Sequence, residues 1–247
     1  PKSLRRCSSV CPFSIAASGC AIAGSARSSV IVAYATLEAK AANKSALRQR
    51  MKLKGDDEIP LFGVVSRLTH QKGLDLLIAI AREVTSLPAQ LVVLGSGEKA
   101  LERQFSAMAR ALRGRCAAVI GFDEALAHLI EAGADIFVMP SRFEPCGLNQ
   151  MYSLRYGTPP VVRATGGLAA TAVDCNAATL AAGTANGFVF SAPSPQALLA
   201  TLARAVSAWR DRAQWLQLQL NGMRLDFSWQ TSARRYRDLY RELIAAA

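Results

Sequence analysis

The sequence predicts an α/β fold, a doubly wound parallel sheet with a C-terminal helical tail, on three observations. From Pro60 onward, short apolar runs alternate with longer stretches of helical periodicity. The runs Leu91-Val92-Val93-Leu94 and Ile136-Phe137-Val138-Met139 are continuously apolar, the pattern of strands covered by helices on both faces. Of the 247 residues 51% are hydrophobic, enough to fill one core of that size.

The elements follow in order. Residues 1–36 stand apart: no acidic residue occurs before Glu38, while Lys2, Arg5, Arg6 and Arg27 are basic and Ser, Ala and Cys dominate the rest. A targeting peptide, a lipoprotein-like signal around Ala17-Ser18-Gly19-Cys20, and aberrant or non-native sequence all fit this composition. The missing initiator Met and poor apolar core favour the third, so this segment is expected to lie outside the folded domain, residues 37–247. A polar helix from Ala41 to Lys54 stops at Gly55-Asp56-Asp57, and Pro60 introduces a buried strand, Leu61 to Ser66. Helix Leu74–Val84, strand Gln90–Gly95, helix Ala100–Leu112, strand Ala117–Gly121, helix Glu124–Ala132 and strand Ile136–Pro140 continue the alternation. Then come helix Leu148–Tyr156, strand Pro160–Arg163, a Gly166-Gly167 turn, strand Phe188–Phe190, and helices Pro195–Trp209, Ala213–Met223 and Trp229–Ile244. The architecture this spells is Rossmann-like.

Composition excludes several function classes. The net charge of +11 is spread among acidic residues on helix faces, without the concentrated basic helix or aromatic-interleaved patch of a nucleic-acid binder. After Arg27 no apolar run approaches the roughly 18 to 20 residues of a membrane span. Six scattered cysteines suit reduced thiols of a cytoplasmic protein better than disulfides, and Cys7 and Cys11 lack a second pair of zinc-ligand spacing. His70 and His128 form no metal cluster, so neither metal nor cofactor is expected. A basic cleft still favours anionic small molecules.

Ligands of open parallel sheets bind beyond the carboxyl ends of the strands, which directs attention to the segments after Ser66, Gly95, Gly121, Pro140 and Ala164. Arg67 leaves the first strand and Lys72-Gly73 precedes a helix, placing two cations where a diphosphate can be held, although both also suit a solvated loop. Leu94-Gly95-Ser96-Gly97 reads equally as a phosphate-approach loop or a tight turn. Arg142 to Leu148 carries Glu144 towards the cleft and opens a helix; Glu144 serves a ligand or the helix dipole, and Cys146 a ligand or the core. At Thr165-Gly166-Gly167 the paired glycines permit either a close backbone approach to a ligand or a simple turn. His128 is expected to be a surface or packing residue.

Four motifs in this order closely resemble bacterial glycogen synthases and plant starch synthases: Ser66-Arg67-Leu68-Thr69-His70-Gln71-Lys72-Gly73, Gly121-Phe122-Asp123-Glu124, Pro140 to Tyr152 with Glu144-Pro145-Cys146-Gly147 at its centre, and Thr165-Gly166-Gly167-Leu168. The resemblance runs from about Leu37 to the C-terminus, includes Asp226-Phe227-Ser228-Trp229, and is to the C-terminal, donor-binding domain of retaining GT-B glycosyltransferases. It implies transfer of glucose from ADP-glucose to the non-reducing end of an α-1,4-glucan, without a required metal. The Glu-Pro-Cys-Gly form points to the ADP-using bacterial branch rather than to UDP-glucose. In that reading Arg67 and Lys72 grip the diphosphate and Glu144 orients the glucose, these three being the catalytic residues. Gly95, Thr165, Gly166 and Gly167, with the backbone amides of Cys146, Gly147 and Leu148, bind the donor, and Asn149 lies beside the phosphates. Phe122 stands where the family commonly has Tyr near the adenine, which keeps a stacking ring and loses a hydroxyl. Ala169-Ala170 replaces the usual Ala-Asp, removing a polar contact or helix cap. The N-terminal domain, which in the family supplies a Lys-x-Gly-Gly-Leu loop, a histidine and much of the acceptor surface, has no counterpart here. The expectation is a synthase fragment that binds donor without efficient turnover. The alternative is an inactive nucleotide- or glucan-binding remnant of a truncated or frameshifted gene.

Overall fold

The computed structural model describes residues 37–245. Helix α1 (Glu38–Arg50) leads into β1 (Leu61–Val65), a 3-10 turn (His70–Lys72), α2 (Leu74–Ala79), α3 (Ala81–Ser86), β2 (Gln90–Gly95), α4 (Lys99–Ala111) and β3 (Cys116–Ile120). The chain then forms α5 (Glu124–Gly133), β4 (Ile136–Met139), α6 (Asn149–Arg155), β5 (Pro160–Arg163), α7 (Gly166–Thr171), α8 (Ala177–Ala181) and β6 (Phe188–Phe190). Three helices finish it: α9 (Pro195–Arg210), α10 (Arg212–Met223) and α11 (Trp229–Ala245).

All strand pairings are parallel, and the sheet order is β3-β2-β1-β4-β5-β6. The chain runs outward from β1 to β3, then returns to place β4 on the other side of β1. That reversal makes β1 and β4 the topological switch point, where the loops leaving the two strands splay apart and open a crevice.

Period-two burial explains why the sheet has two cores. Phe62, Val64, Leu91, Val93, Ile136, Val138 and Val161 face one side and pack with Leu74 and Leu77 of α2, Phe105 of α4, and Leu198 and Leu202 of α9. Their neighbours Leu61, Val92, Leu94, Phe137, Met139 and Val162 face the other side, against Leu47 of α1, Leu126 and Ile130 of α5, and Leu168 of α7. The doubly covered sheet is the predicted fold.

Three local differences have physical causes. The Gly166-Gly167 turn is the first turn of α7, which the chain enters from extended backbone at Thr165 and which buries Leu168. The single helix expected over 74–84 is two, because the backbone bends at Ile80 (φ −108°, ψ 17°) where α2 packs on α4 and α9 while α3 packs on α9. The unpredicted α8 is short and has no buried residue; it is held by reciprocal hydrogen bonds between Asn176 and Thr179, a capping box. The readings of residues 1–36 lie outside the described residues. Within those residues no helix is long and apolar enough to cross a membrane. Helix α11 buries none of its residues and exposes Trp229, Tyr236, Leu239, Tyr240, Leu243 and Ile244.

Candidate functional site

A cleft of about 200 Å³ opens at the β1/β4 switch point, lined among others by Arg67, Lys72, Glu144, Gly147, Leu148 and Asn149. Six of the residues selected from sequence therefore meet in one cavity. The loop after β1 carries Arg67 and turns through the 3-10 segment to Lys72. Gly73 then ends the turn with φ +67°, and a Cβ there would stand 2.0 Å from the Pro140 carbonyl oxygen. Only glycine lets the two loops approach this closely.

Lys72 Nζ donates to Glu144 Oε2, which also accepts from Ser141 Oγ at 3.3 Å. The pair is largely shielded, with side chains 17% and 9% exposed. A lysine ammonium has three donors, so the contact leaves further N–H groups for an anion. Glu144 Oε1 carries no hydrogen bond among the described residues and remains an acceptor for a hydroxyl. Arg67 is exposed and its guanidinium has no ion pair among the described residues. The Lys72–Glu144 pair is formally neutral, so Arg67 supplies the uncompensated positive charge of the cleft. Asn149 Nδ2 donates to the Val65 carbonyl at 2.8 Å, tying the start of α6 to the end of β1.

The remaining selected residues do not line the cleft. Gly95 is buried, and a Cβ there would meet the Ser66 carbonyl oxygen at 1.9 Å; at Gly97 it would meet that of Leu68 at 2.4 Å. With Leu68 N–H donating to Ser96 O and Glu98 N–H to Leu68 O, this geometry fits the turn reading of the Gly-Ser-Gly segment. Phe122 is 90% exposed at the exit of β3, ahead of Asp123, whose carboxylate caps α5 through the Leu126 N–H. Cys146 is exposed rather than part of the core. Thr165 precedes α7 without a side-chain cap bond. A Cβ on Gly166 would lie 2.1 Å from the Glu144 carbonyl oxygen and one on Gly167 1.8 Å from that of Cys146. The Gly167 N–H donates to the carbonyls of Glu144 and Pro145. The glycine pair thus seats the loop that carries Glu144: the close approach is chain on chain. Ala169 and Ala170 are both exposed on α7, which has no acidic residue in its first turn. His128 is a packing residue on α5, with Nδ1 3.1 Å from the Tyr156 hydroxyl.

Sequence reasoning passed over the groups that brace the site. Arg142 grips Asp75 with both terminal nitrogens, at 2.6 and 2.7 Å. Hydrogen bonding to Arg142 lowers the Asp75 carboxyl below its usual range, and Asp75 raises the Arg142 guanidinium. Arg163 of β5 donates to the carbonyls of Ser141, at 2.8 Å, and Arg142. Buried Gln150 reaches back from α6 to the carbonyls of Cys146 and Gly147 at 3.1 and 2.8 Å. Both Arg142 and Gln150 lie inside a motif already singled out; Gln150 bonds back within that motif, whereas Asp75, the partner of Arg142, is a neighbour only in three dimensions. Among the described residues no group of His, Cys, Asp and Glu is arranged to hold a metal.

A doubly wound parallel sheet with a cationic cleft at its switch point is an α/β domain of the kind whose ligands sit in such crevices. Residues 45–217 match the family of group 1 glycosyl transferases, and the chain belongs to it. It is 58% identical over 208 residues to the glycogen synthase of Nitrosospira multiformis, covering 84% of this chain and 42% of that protein. It is likewise 58% identical over 209 residues to the glycogen synthase of Dechloromonas aromatica, covering 85% and 43%. The structure resembles the catalytic domain of starch synthase IV from Arabidopsis thaliana bound to ADP and acarbose, with TM-score 0.79 and 34% identity, over 87% of this chain and 45% of that one. The chain spans less than half the length of these relatives.

Proposed function

We propose that this chain is the donor-binding part of an ADP-glucose-dependent glycogen or starch synthase, residues 37–247 forming the glycosyltransferase domain. The observation that carries the reading is the meeting of Arg67, Lys72 and Glu144 in one cleft at the switch point. Arg67 and Lys72 hold the diphosphate and offset the charge that builds on the leaving phosphate as the glycosidic bond breaks. Glu144 accepts from glucose hydroxyls, the amides of Cys146, Gly147 and Leu148 donate to the sugar, and Phe122 packs on the adenine. The complete enzyme extends an α-1,4-glucan at its non-reducing end with retention of configuration, in the cytoplasm. The glucan surface and the rest of the catalytic machinery belong to the partner domain of the GT-B fold. The isolated chain binds donor and does not turn it over efficiently.

Thermal unfolding with added ligand tests this reading. A ligand held only by the folded state raises the midpoint, by several degrees at about 100 times its dissociation constant. ADP and ADP-glucose are expected to do so, UDP-glucose less, and glucose alone not at all. Equal shifts from ADP and UDP remove the adenine assignment; no shift from any nucleotide removes the function.

A further inference from the structure

We propose that Arg142 is the positioning residue that sets the geometry of the Lys72–Glu144 pair, an inference that rests on the donor-binding reading of the cleft. Lys72 and Glu144 stand 72 residues apart on loops from different strands, so something must fix one loop against the other. Arg142 makes most of that connection. Its backbone N–H donates to the Gln71 carbonyl at 2.9 Å, and its Nη1 to the His70 carbonyl at 3.0 Å. Its guanidinium forks onto both oxygens of Asp75. Gln71 Nε2 answers by donating to the Phe143 carbonyl at 3.2 Å. Arg142 therefore grips the chain on both sides of Lys72 from a point two residues before Glu144. Behind it Arg163 holds the Ser141 and Arg142 carbonyls, so the guanidinium pulls against a fixed backbone.

Magnitudes separate positioning from stability. The Arg142 and Asp75 side chains are 25% and 37% exposed, and ion pairs so open to water contribute little to folding. A two-point fork instead fixes orientation, and a planar guanidinium cannot be replaced by lysine without losing it. The consequence falls on the ligand, because a charge displaced by about 1 Å loses much of its value at a phosphate.

The test uses the chain as it stands, with ADP as probe. Arg142→Gln is expected to weaken ADP binding by roughly tenfold with a small change in melting midpoint, and Arg142→Lys to fall nearly as far because it keeps charge without the fork. Asp75→Asn, which retains one acceptor, is expected to lose less. In the background of Lys72→Ala, Arg142→Gln is expected to add almost nothing. Losses that multiply in the double variant, or an Arg142→Lys chain that binds like the parent, overturn the proposal. A readout without nucleotide separates this inference from the function it rests on. In chains whose lysines carry 13C-methyl groups, the Lys72 resonance, assigned through Lys72→Arg, is expected to move in Arg142→Gln. An unmoved resonance overturns the positioning role even where ADP binds; a moved resonance supports it even where ADP does not.

Discussion

The two ends of the parallel sheet use the same residue types to opposite effect. At the carboxyl end, lysine, arginine and carboxylates stand on loops, partly open to water, with Arg67 unpaired and Glu144 Oε1 unoccupied among the described residues. At the amino end the innermost of them are sealed. Lys44 pairs with Asp135 at 2.7 Å, and Asp135 also accepts from the Leu61 N–H at 2.8 Å. Lys40 donates to the Ala132 carbonyl at 2.9 Å and to Thr158 Oγ1 at 2.6 Å, fastening α1 to the last turn of α5 and the approach to β5. Burial draws the Lys40 ammonium down to about 7, although Asp135 acts in the opposite sense. Charge at the amino end holds the domain together; charge at the carboxyl end is, in the proposed function, what meets the donor.

The sharpest way to break that division is Asp135→Asn. It takes the paired carboxylate from the buried Lys44 ammonium, 6% exposed, leaving it the Asp57 carbonyl, and is expected to cost about 3 kcal/mol in urea unfolding while ADP affinity stays at the parent value. A stable variant with weakened ADP binding reverses the assignment of the two ends. Next in size is Gly73→Ala at the carboxyl end. Its Cβ meets the Pro140 carbonyl oxygen at 2.0 Å from a backbone with φ +67°, so a loss of about 2 kcal/mol together with loss of ADP binding is expected. Unimpaired binding there shows that the Lys72 turn need not be pressed on the Glu144 loop.

The pH dependence sharpens the amino end further. Burial lifts Glu131 from 4.5 to about 8, so between those values the unfolded chain is ionised where the folded one is not, and stability falls as pH rises through that window. Lys40 is lowered from 10.5 to about 7; across that range the unfolded state holds the extra proton, and stability rises with pH. Melting midpoints are therefore expected to decline from pH 5 to 7 and recover between pH 8 and 9, above which the buried Cys116 thiol, raised from 9.0 to about 12, opposes the gain. Glu131→Gln flattens the first limb and leaves the second; an unchanged first limb assigns it to another group. The smallest effect belongs to α11, which has no buried residue. Removing residues 226–247 is expected to move the midpoint by no more than about 1 °C and to improve solubility, since an exposed apolar face goes with it. A large drop in midpoint contradicts the exposed helix.

Much of this was legible in sequence. The bounds of β2, β5 and β6 coincide with the expected runs, because a strand covered on both faces admits little but apolar residues. The break at Ile80 was not legible, since α2 and α3 are apolar at helical spacing on both sides of it. Helix α8 escaped because a short Ala-rich segment has no apolar stripe; its cap alone marked it. Arg67, Lys72 and Glu144 drew attention because each follows a strand of a parallel sheet, but position left their roles open and only the family resemblance assigned them. Their braces could not be found, because nothing in the order of residues says that Arg142 reaches Asp75. The paired glycines at 166 and 167 announced a close approach, and only the fold shows that what approaches is the carbonyl of Glu144 or Cys146.

The most direct test of the carboxyl-end cleft as a donor site is calorimetric titration of ADP into the chain, with Arg67→Ala titrated beside it. Arg67 is exposed and unpaired among the described residues, so its removal leaves the fold intact and takes away the cleft's uncompensated charge. One-site binding in the parent and a loss of about tenfold or more in Arg67→Ala, at equal melting midpoints, is the predicted result. A folded parent that gives no heat with ADP, or the same affinity in both chains, contradicts it.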